Sequence, residues 1–258
     1  MAAAAALRAV RLEGVKDGIA LIKMIKGDNR MNMPFLNSMG KALDEVERND
    51  DVRGVIFTGE GKFFSYGVDL PWVAQQTLDM TDKFICESDA LTERVASFPM
   101  PTIAAMNGHA FGMGAILALA CDYRVMGKGR GWFCFPELTV PVSFSPTTLE
   151  MIRLKLHRVQ VVRDAAIFSK RYTAEEALGA DIVDEAVDEN QVMEAAIRYG
   201  NKLGEKLDRR CVHTTKDQLY GAPLRSIRDA HLQRETEKDK NDRLEDFKRG
   251  AQLHASNM

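Results

Sequence analysis

Short apolar runs and amphipathic stretches follow one another along the first half of the chain. The segment "LRAVRLEGVKDGIALIKMI" predicts two strands joined by a turn at residues 16–18. The segment "MPFLNSMGKALDEVERND" predicts an amphipathic helix, because its apolar side chains recur at helical spacing: Leu36, Met39, Leu43 and Val46. The next segment, "VRGVIFTGEG", predicts a buried strand that ends in a glycine turn.

Strands and helices continue to alternate, and helices dominate the second half. Residues 71–98 are predicted to be mainly helical and to end before Pro99. The segments "TIAAMNG" and "DYRVMG" predict strands on either side of an apolar helix that begins near Gly114, and "GWFCFPEL" predicts an extended segment. Residues 225–252 predict a highly charged helix whose charge forms a solvated face. This alternation predicts an α/β fold with parallel strand pairing.

The composition excludes several classes of protein. The chain has 258 residues, a net charge of −2 and a mean hydropathy of −0.23, so it offers no basic surface for nucleic acid. Its longest apolar stretch, residues 115–121, is too short to span a bilayer, and its first ten residues do not resemble a secretory signal. The four cysteines form no C-x-x-C pair, which favours reduced thiols over disulfides or a zinc site. We therefore expect a soluble globular protein without membrane insertion or a nucleic-acid partner.

The segment "PTIAAMNGHAFGMGAILALACDYRV" places Gly108, Gly112 and Gly114 where a strand gives way to a buried helix. A phosphate loop is excluded at "GEGKFF", because the required earlier glycine and the Ser or Thr after Lys62 are missing, and "GHAFGMG" has the wrong spacing for a dinucleotide fingerprint. Two interpretations stay open. The glycines permit tight packing, or they present backbone N–H groups that converge into an oxyanion hole.

Several separate segments resemble the crotonase, or enoyl-CoA hydratase/isomerase, superfamily. They are "FTGEGKFFSYGVDL" at 57–70, the glycine-rich segment at 101–125, "FPEL" at 135–138 and "SKRYTAEEALGADIVDEAV" at 169–187. The similarity covers residues 7–195 and is greatest to the monofunctional Δ3,Δ2-enoyl-CoA isomerases, including the plant peroxisomal kind.

The resemblance implies an architecture and a set of partners. It implies a crotonase-type spiral of ββα units over residues 1–200, which holds the acyl-CoA site, and a helical C-terminal region over residues 201–258. That region implies assembly into a homotrimer or a dimer of trimers. The implied substrate is an acyl-CoA, so CoA is part of the substrate and no separate cofactor or metal is expected.

The resemblance also assigns chemical roles. The backbone N–H groups of Val68 and Met113 fall on the family's two oxyanion positions, although Met113 stands where the family has glycine. Glu137 falls on the position of a catalytic carboxylate, whereas the family's other acid positions fall on Ile116 and near Ser145. One acid therefore remains. A single carboxylate can move a proton from the α carbon to the γ carbon of a 3-enoyl thioester.

The resemblance implies a set of substrate-binding residues around the loop "SYGVDL": Ser65, Tyr66, Gly67, Val68, Asp69, Leu70 and Gly112. The Asp69 side chain is expected to cap the following helix, and His109 is expected to be a packing residue. Lys62, Arg30 and a helix near the C-terminus are candidates for binding the CoA phosphates. The aromatic neighbours of Glu137 are expected to raise its pKa by lowering the local dielectric: Trp132, Phe133 and Phe135.

These residues predict an isomerase that converts 3-enoyl-CoA to trans-2-enoyl-CoA in the β-oxidation of unsaturated fatty acids. Two alternatives stay open: an enoyl-CoA hydratase or acyl-CoA thioester hydrolase of the same fold, and a non-catalytic acyl-CoA-binding member. The final tripeptide, Ser256-Asn257-Met258, resembles a peroxisomal signal, with an unstructured polar end as its alternative. A peroxisomal location is expected, and a mitochondrial or cytoplasmic one otherwise.

Overall fold

A computed structural model describes residues 9–204 and 207–256. The strands are β1 (Val10–Lys16), β2 (Ile19–Met24), β3 (Arg30–Met31), β4 (Gly54–Gly59), β5 (Phe63–Ser65), β6 (Gly67–Val68), β7 (Thr102–Met106), β8 (His109–Phe111), β9 (Tyr123–Lys128), β10 (Phe133–Cys134) and β11 (Glu185–Asp188). The helices are α1 (Met33–Arg48), α2 (Leu70–Val73), α3 (Leu78–Ala96), α4 (Met113–Ala120), α5 (Pro146–Lys155), α6 (Val159–Val162), α7 (Ala174–Gly179), α8 (Val192–Gly204), α9 (Arg209–Lys216), α10 (Ala222–Leu232) and α11 (Glu237–Ser256).

The centre of the fold is a six-stranded sheet with the order β1-β2-β4-β7-β9-β11. β1 and β2 are antiparallel, whereas every neighbouring pair from β2 to β11 is parallel, which confirms the predicted parallel α/β core. Every residue of β4 is buried, because parallel strands inside such a sheet have both faces covered. The short strands form two further sheets, β10-β8-β5 and β3-β6.

A strand–strand–helix unit recurs along the chain, as in β7-β8-α4 and β9-β10-α5. The first strand of each unit joins the large sheet, and the second joins a small one. This recurrence confirms the predicted spiral of ββα units. Pairing of β8 with both β5 and β10 brings residues 63–68, 109–113 and 133–137 to one place.

The core lies on both faces of the large sheet. Val55 and Phe57 of β4 belong to a larger cluster that includes side chains of α1, α3 and α4. Ile56 points the other way, into a smaller cluster with Val192 and Ala196 of α8. The larger cluster buries almost all of α4, from Gly114 to Ala120, so the helix that follows the glycine turn is fixed from every side.

The C-terminal helix α11 folds back onto the core and contacts α2 and α3. Its Leu244 and Phe247 side chains are buried. The prediction that the charge of residues 225–252 is simply a solvated face is therefore wrong for this side of α11, where charged groups share a buried surface with apolar ones. Residue 200 lies within α8, and the division of the chain there stays a prediction, as does the oligomeric state.

Two sequence interpretations fall at the chain ends. Residues 1–8, which carry most of the segment judged unlike a secretory signal, and Asn257 and Met258 of the C-terminal tripeptide lie outside the described residues. Within the described part, no helix is both long enough and apolar enough to cross a membrane.

Candidate active site

Two glycine-containing turns, at residues 65–68 and 111–114, lie directly against each other. Gly67 has a φ of +91°, and a Cβ atom at this position would stand 2.6 Å from the carbonyl oxygen of Phe111. A Cβ atom at Gly114 would stand 2.5 Å from the carbonyl oxygen of Ser65. Only glycine permits such an approach. The tight-packing interpretation is therefore confirmed at both turns.

The same contact brings two backbone N–H groups close together. A Cβ atom on Gly67 would lie 3.1 Å from the Met113 nitrogen, and Met113 is the first residue of α4, so its N–H has no acceptor within the helix. The Asp69 N–H donates to the Met31 carbonyl at 2.9 Å. Because successive N–H groups of an extended strand point in opposite directions, the Val68 N–H points away from β3. Tight packing thus sets the positions of both predicted donors.

Glu137 lies beside this junction, in the turn after β10. A Cβ atom on Gly112 would stand 3.1 Å from Glu137 Oε1, so any other residue at 112 would press on the carboxylate. The residue is half-buried as a whole, yet its Oε2 atom is shielded from solvent and has no hydrogen-bond partner among the described residues. Burial raises the pKa of Glu137 to about 8, and its own backbone N–H opposes this shift. A carboxyl group with this pKa can take up and release a proton near neutral pH.

The aromatic residues around Glu137 differ in exposure. Phe133 and Phe135 are fully buried and their rings contact each other edge to face. Trp132 is 38 % exposed and packs on the His109 ring instead. The sequence predicts that Trp132 shields Glu137 from solvent. That prediction is wrong for Trp132.

Two cavities meet at Glu137. The outer cavity, of about 380 Å³, is lined by Tyr66, Val68, Leu70, Phe111, Gly112, Met113, Cys134, Pro136, Glu137, Thr139, Val140, Val142, Arg171 and Leu253. The inner cavity, of about 60 Å³, is lined by Val68, Phe84, Ile85, Ser88, Asp89, Met113, Glu137, Val142, Ser143, Phe144, Ser145, Thr148, Arg243 and Phe247. Both cavities therefore share the carboxylate and the two residues with the predicted N–H donors.

The predicted substrate-binding residues divide into two groups. Four of them line the outer cavity: Tyr66, Val68, Leu70 and Gly112. The other three support the backbone. The buried Ser65 hydroxyl donates to the Asn29 carbonyl at 2.7 Å and accepts from the Gly67 N–H. The Asp69 carboxylate caps α2, accepting from the Trp72 N–H, as the capping interpretation predicted.

Two cation–ring contacts involve the segment from Lys62 to Tyr66, whose Tyr66 lines the outer cavity. The Arg30 guanidinium lies 4.3 Å from the centre of the Tyr66 ring, and the Lys62 ammonium lies 5.5 Å from that of Phe63. Sequence reasoning missed Arg171, which lines the cavity itself. Flat rings beside cations suit a ligand with an aromatic base and phosphates.

His109 belongs to this aromatic group but not to the lining of either cavity. Its Nδ1 accepts a hydrogen bond from the Trp132 N–H at 3.2 Å. Burial lowers the pKa of His109, and Lys62 and Arg171 lower it further. The neutral ring is a packing residue, as predicted.

The inner cavity contains residues that sequence reasoning did not connect with the site. Asp89 of α3 and Arg243 of α11 both line it. Ser145, considered only as the position of a glutamate in a related branch, donates to Asp89 Oδ1 at 2.9 Å. No local motif marks these residues, because they come from three distant segments. Within the described ranges, no cluster of three or more His, Cys, Asp or Glu residues is arranged to hold a metal ion.

Comparisons with known proteins identify the family to which this chain belongs. The family model described as enoyl-CoA hydratase/isomerase matches residues 14–253. A peroxisomal enoyl-CoA delta isomerase 2 of Arabidopsis thaliana is 34% identical over 193 residues, which cover 70% of this chain and 78% of the relative. A probable enoyl-CoA hydratase of Mycobacterium tuberculosis is 30% identical over 194 residues, which cover 74% of this chain and 73% of the relative.

The fold also matches solved structures. The crystal structure of human mitochondrial delta3-delta2-enoyl-CoA isomerase superposes with a TM-score of 0.83 at 21% identity, covering 96% of this chain and 97% of that chain. This identity supports the fold alone. The family match, the peroxisomal relative and the recurring ββα units together show that the chain belongs to the enoyl-CoA hydratase/isomerase family and has the crotonase fold.

Proposed function

We propose that this protein is a Δ3,Δ2-enoyl-CoA isomerase, which converts 3-enoyl-CoA thioesters to trans-2-enoyl-CoA. The proposal depends on one observation above all. Glu137, whose pKa is raised to about 8, lies against Gly112 and lines the same cavities as Val68 and Met113. The peroxisomal isomerase among the relatives supports the same choice.

The proposed reaction needs only these groups. The N–H groups of Val68 and Met113 bind the thioester oxygen and stabilise the negative charge that develops on it. The Glu137 carboxylate takes a proton from C2, the C–H electron pair forms a C1–C2 double bond, and the carbonyl π pair moves onto the thioester oxygen to give a dienolate. When the carbonyl re-forms, the C1–C2 π pair becomes the C2–C3 double bond, and the C3–C4 π pair forms the new C–H bond at C4. Protonated Glu137 then returns the proton to C4. The reaction is balanced, and the carboxylate is regenerated.

Hydration is the main competing reaction, and one of the relatives is a probable hydratase. A hydratase uses a second acid to hold water, and the family's position for that acid is Ile116, which is fully buried in the core. Asp89, the other carboxylate near the site, lines the inner cavity but is not in the outer one. These observations favour isomerisation.

The substrate assay follows from the proposal. Purified protein is mixed with cis- or trans-3-hexenoyl-CoA, and absorbance by the conjugated thioester is recorded. We expect turnover by the native protein and a loss of about 10³-fold or more for Glu137→Gln, whereas Glu45→Gln, an exposed carboxylate on α1, keeps full activity.

Other products would contradict the proposal. Formation of 3-hydroxyacyl-CoA from 2-enoyl-CoA would identify a hydratase, and release of free CoA would identify a thioester hydrolase. Binding without any product would identify a non-catalytic acyl-CoA-binding protein. Substantial turnover by Glu137→Gln would show that another group is the base.

The cellular role is part of the same proposal. The product has the conjugated double bond that β-oxidation requires, so the enzyme serves the degradation of unsaturated fatty acids. A peroxisomal location is supported by the peroxisomal relatives and by the C-terminal tripeptide. Attachment of the last ten residues to a fluorescent protein tests whether they direct it to peroxisomes.

A further inference from the structure

The inner cavity is lined by both apolar and polar side chains. Phe84, Phe144 and Phe247 are among the apolar ones. The polar residues Asp89, Ser145 and Arg243, together with Ile85, also line a third cavity of about 160 Å³, here called the charged cavity. An acyl chain that starts at Glu137 and fills the inner cavity therefore ends beside Asp89 and Arg243.

Most of the charged groups that line the charged cavity already have ion-pair partners. Asp82 accepts from Arg243 at 2.6 Å and lies 3.3 Å from Lys240. Glu235 pairs with Arg243 and with the His231 ring. A further full charge would have to disrupt these pairs, which makes an ionic ligand unfavourable here.

Two of the residues that line both cavities have unused hydrogen-bonding capacity. The Arg243 Nε atom is buried and has no hydrogen-bond partner within the described chain. The Asp89 side chain, 6% exposed, accepts from Ser145, and a carboxylate can accept several hydrogen bonds. A buried donor without a partner costs free energy that a suitable ligand atom would recover.

We propose that the preferred acyl chains carry a hydroxyl group at their far end, which accepts a hydrogen bond from Arg243 Nε and donates one to Asp89. This inference rests on the proposed function, since it extends the acyl site beyond Glu137. A methyl terminus leaves Arg243 Nε without a partner and adds no donor to Asp89, which keeps only its hydrogen bond from Ser145. A terminal carboxylate can accept from Arg243 but places a second negative charge beside Asp89.

The test compares matched 3-enoyl-CoA thioesters of six, eight and ten carbons that end in a methyl, a hydroxyl or a carboxylate. We expect the hydroxyl compound of at least one length to have a kcat/KM about tenfold or more above both partners of that length, the effect of two hydrogen bonds in a buried site. An equal or higher kcat/KM for the methyl or the carboxylate compound at every length would overturn the inference.

Variants distinguish recognition of the terminal hydroxyl group from a general loss of activity. Arg243→Lys keeps a positive charge for Asp82 and Glu235 but removes the Nε donor, and Asp89→Asn replaces the charged acceptor. In each variant the ratio of hydroxyl to methyl kcat/KM falls toward one. The matched control is Arg94→Lys, whose ion pairs with Asp44 and Glu47 involve no residue that lines the three cavities, and its ratio equals that of the native protein. An unchanged ratio in either folded cavity variant would contradict the proposal.

Binding measurements keep this test independent of the reaction. Saturated acyl-CoA and ω-hydroxyacyl-CoA of equal length are titrated into native protein by calorimetry. Tighter binding of the hydroxyl compound supports the polar end of the cavity even if no 3-enoyl thioester is isomerised, in which case only the proposed function fails. Equal binding together with normal isomerisation overturns the hydroxyl preference alone.

Discussion

The two ends of the inner cavity are built in different ways. At one end, the predicted donors are backbone N–H groups, placed by glycine turns that touch at distances where no side chain fits. At the other end, Asp89 and Arg243 are side chains from α3 and α11, placed by hydrogen bonds and ion pairs. The first end is suited to a reaction step, since its geometry does not depend on rotamers. The second end can change with single substitutions, which suits selection among acyl chains.

The largest effect is expected at the end of the inner cavity that holds the predicted backbone donors. Met113→Pro removes one predicted oxyanion donor, whereas the first helical position tolerates proline and its fixed φ. We expect isomerase activity to fall by about 10²–10³-fold with an unchanged far-ultraviolet circular dichroism spectrum. Met113→Leu, which keeps the N–H, loses less than about tenfold. Equal activity in the two variants would show that the Met113 N–H does not bind the thioester oxygen.

The pH dependence has a smaller expected effect. With a pKa of about 8, roughly one tenth of Glu137 is ionised at pH 7, so kcat/KM rises about tenfold between pH 7 and pH 9 and then levels off. The folded state holds this proton more tightly than the unfolded chain, so the contribution of Glu137 to the free energy of unfolding is greatest below pH 4.5 and decreases as the pH rises through 8.

The pH dependence of kcat/KM and that of the free energy of unfolding are measured for the native protein and for Glu137→Gln. In that variant, the decrease in the free energy of unfolding between pH 5 and pH 8 is smaller than in the native protein. A kcat/KM that is already constant from pH 5 upward would show that the carboxylate has an ordinary pKa.

The smallest expected effect is at the side-chain end. Asp82 of α3 pairs with Arg243 and Lys240 of α11. Asp82→Asn therefore weakens the contacts that hold Arg243 in the lining of the inner cavity. We expect a decrease of about 1 kcal/mol in the free energy of unfolding and a rise of a few-fold in KM with little change in kcat. The matched control, Glu150→Gln, removes the pair with the exposed Arg153 and changes neither. Equal KM values in the two variants would show that the position of α11 does not affect acyl-CoA binding.

Sequence and structure agree best where the signal is local. Gly67, Gly114 and the Pro136-Glu137 pair are recognisable within short segments, because each backbone role requires a particular residue type at a particular place. Parallel pairing also follows from the alternation of strands and helices. The predicted spiral and the roles of Val68, Met113 and Glu137 followed from the resemblance of these short segments to the crotonase superfamily.

The side-chain end could not be derived in this way. Asp89, Ser145 and Arg243 are separated by long stretches of chain, and only tertiary packing brings them together. Charged residues such as those of α11 usually face solvent, which is why residues 225–252 were expected to be a solvated face. Arg171 was missed for a similar reason, since nothing near it in the sequence indicates a cavity.

The shielding of Glu137 Oε2 has a consequence for the fate of hydrogen during the proposed reaction. A hydrogen held on this shielded oxygen exchanges slowly with water, so the atom removed from one carbon is the atom delivered two carbons further along the same molecule. In deuterium oxide the product would therefore acquire little label, and a substrate deuterated at the donor carbon would keep its isotope in a new position.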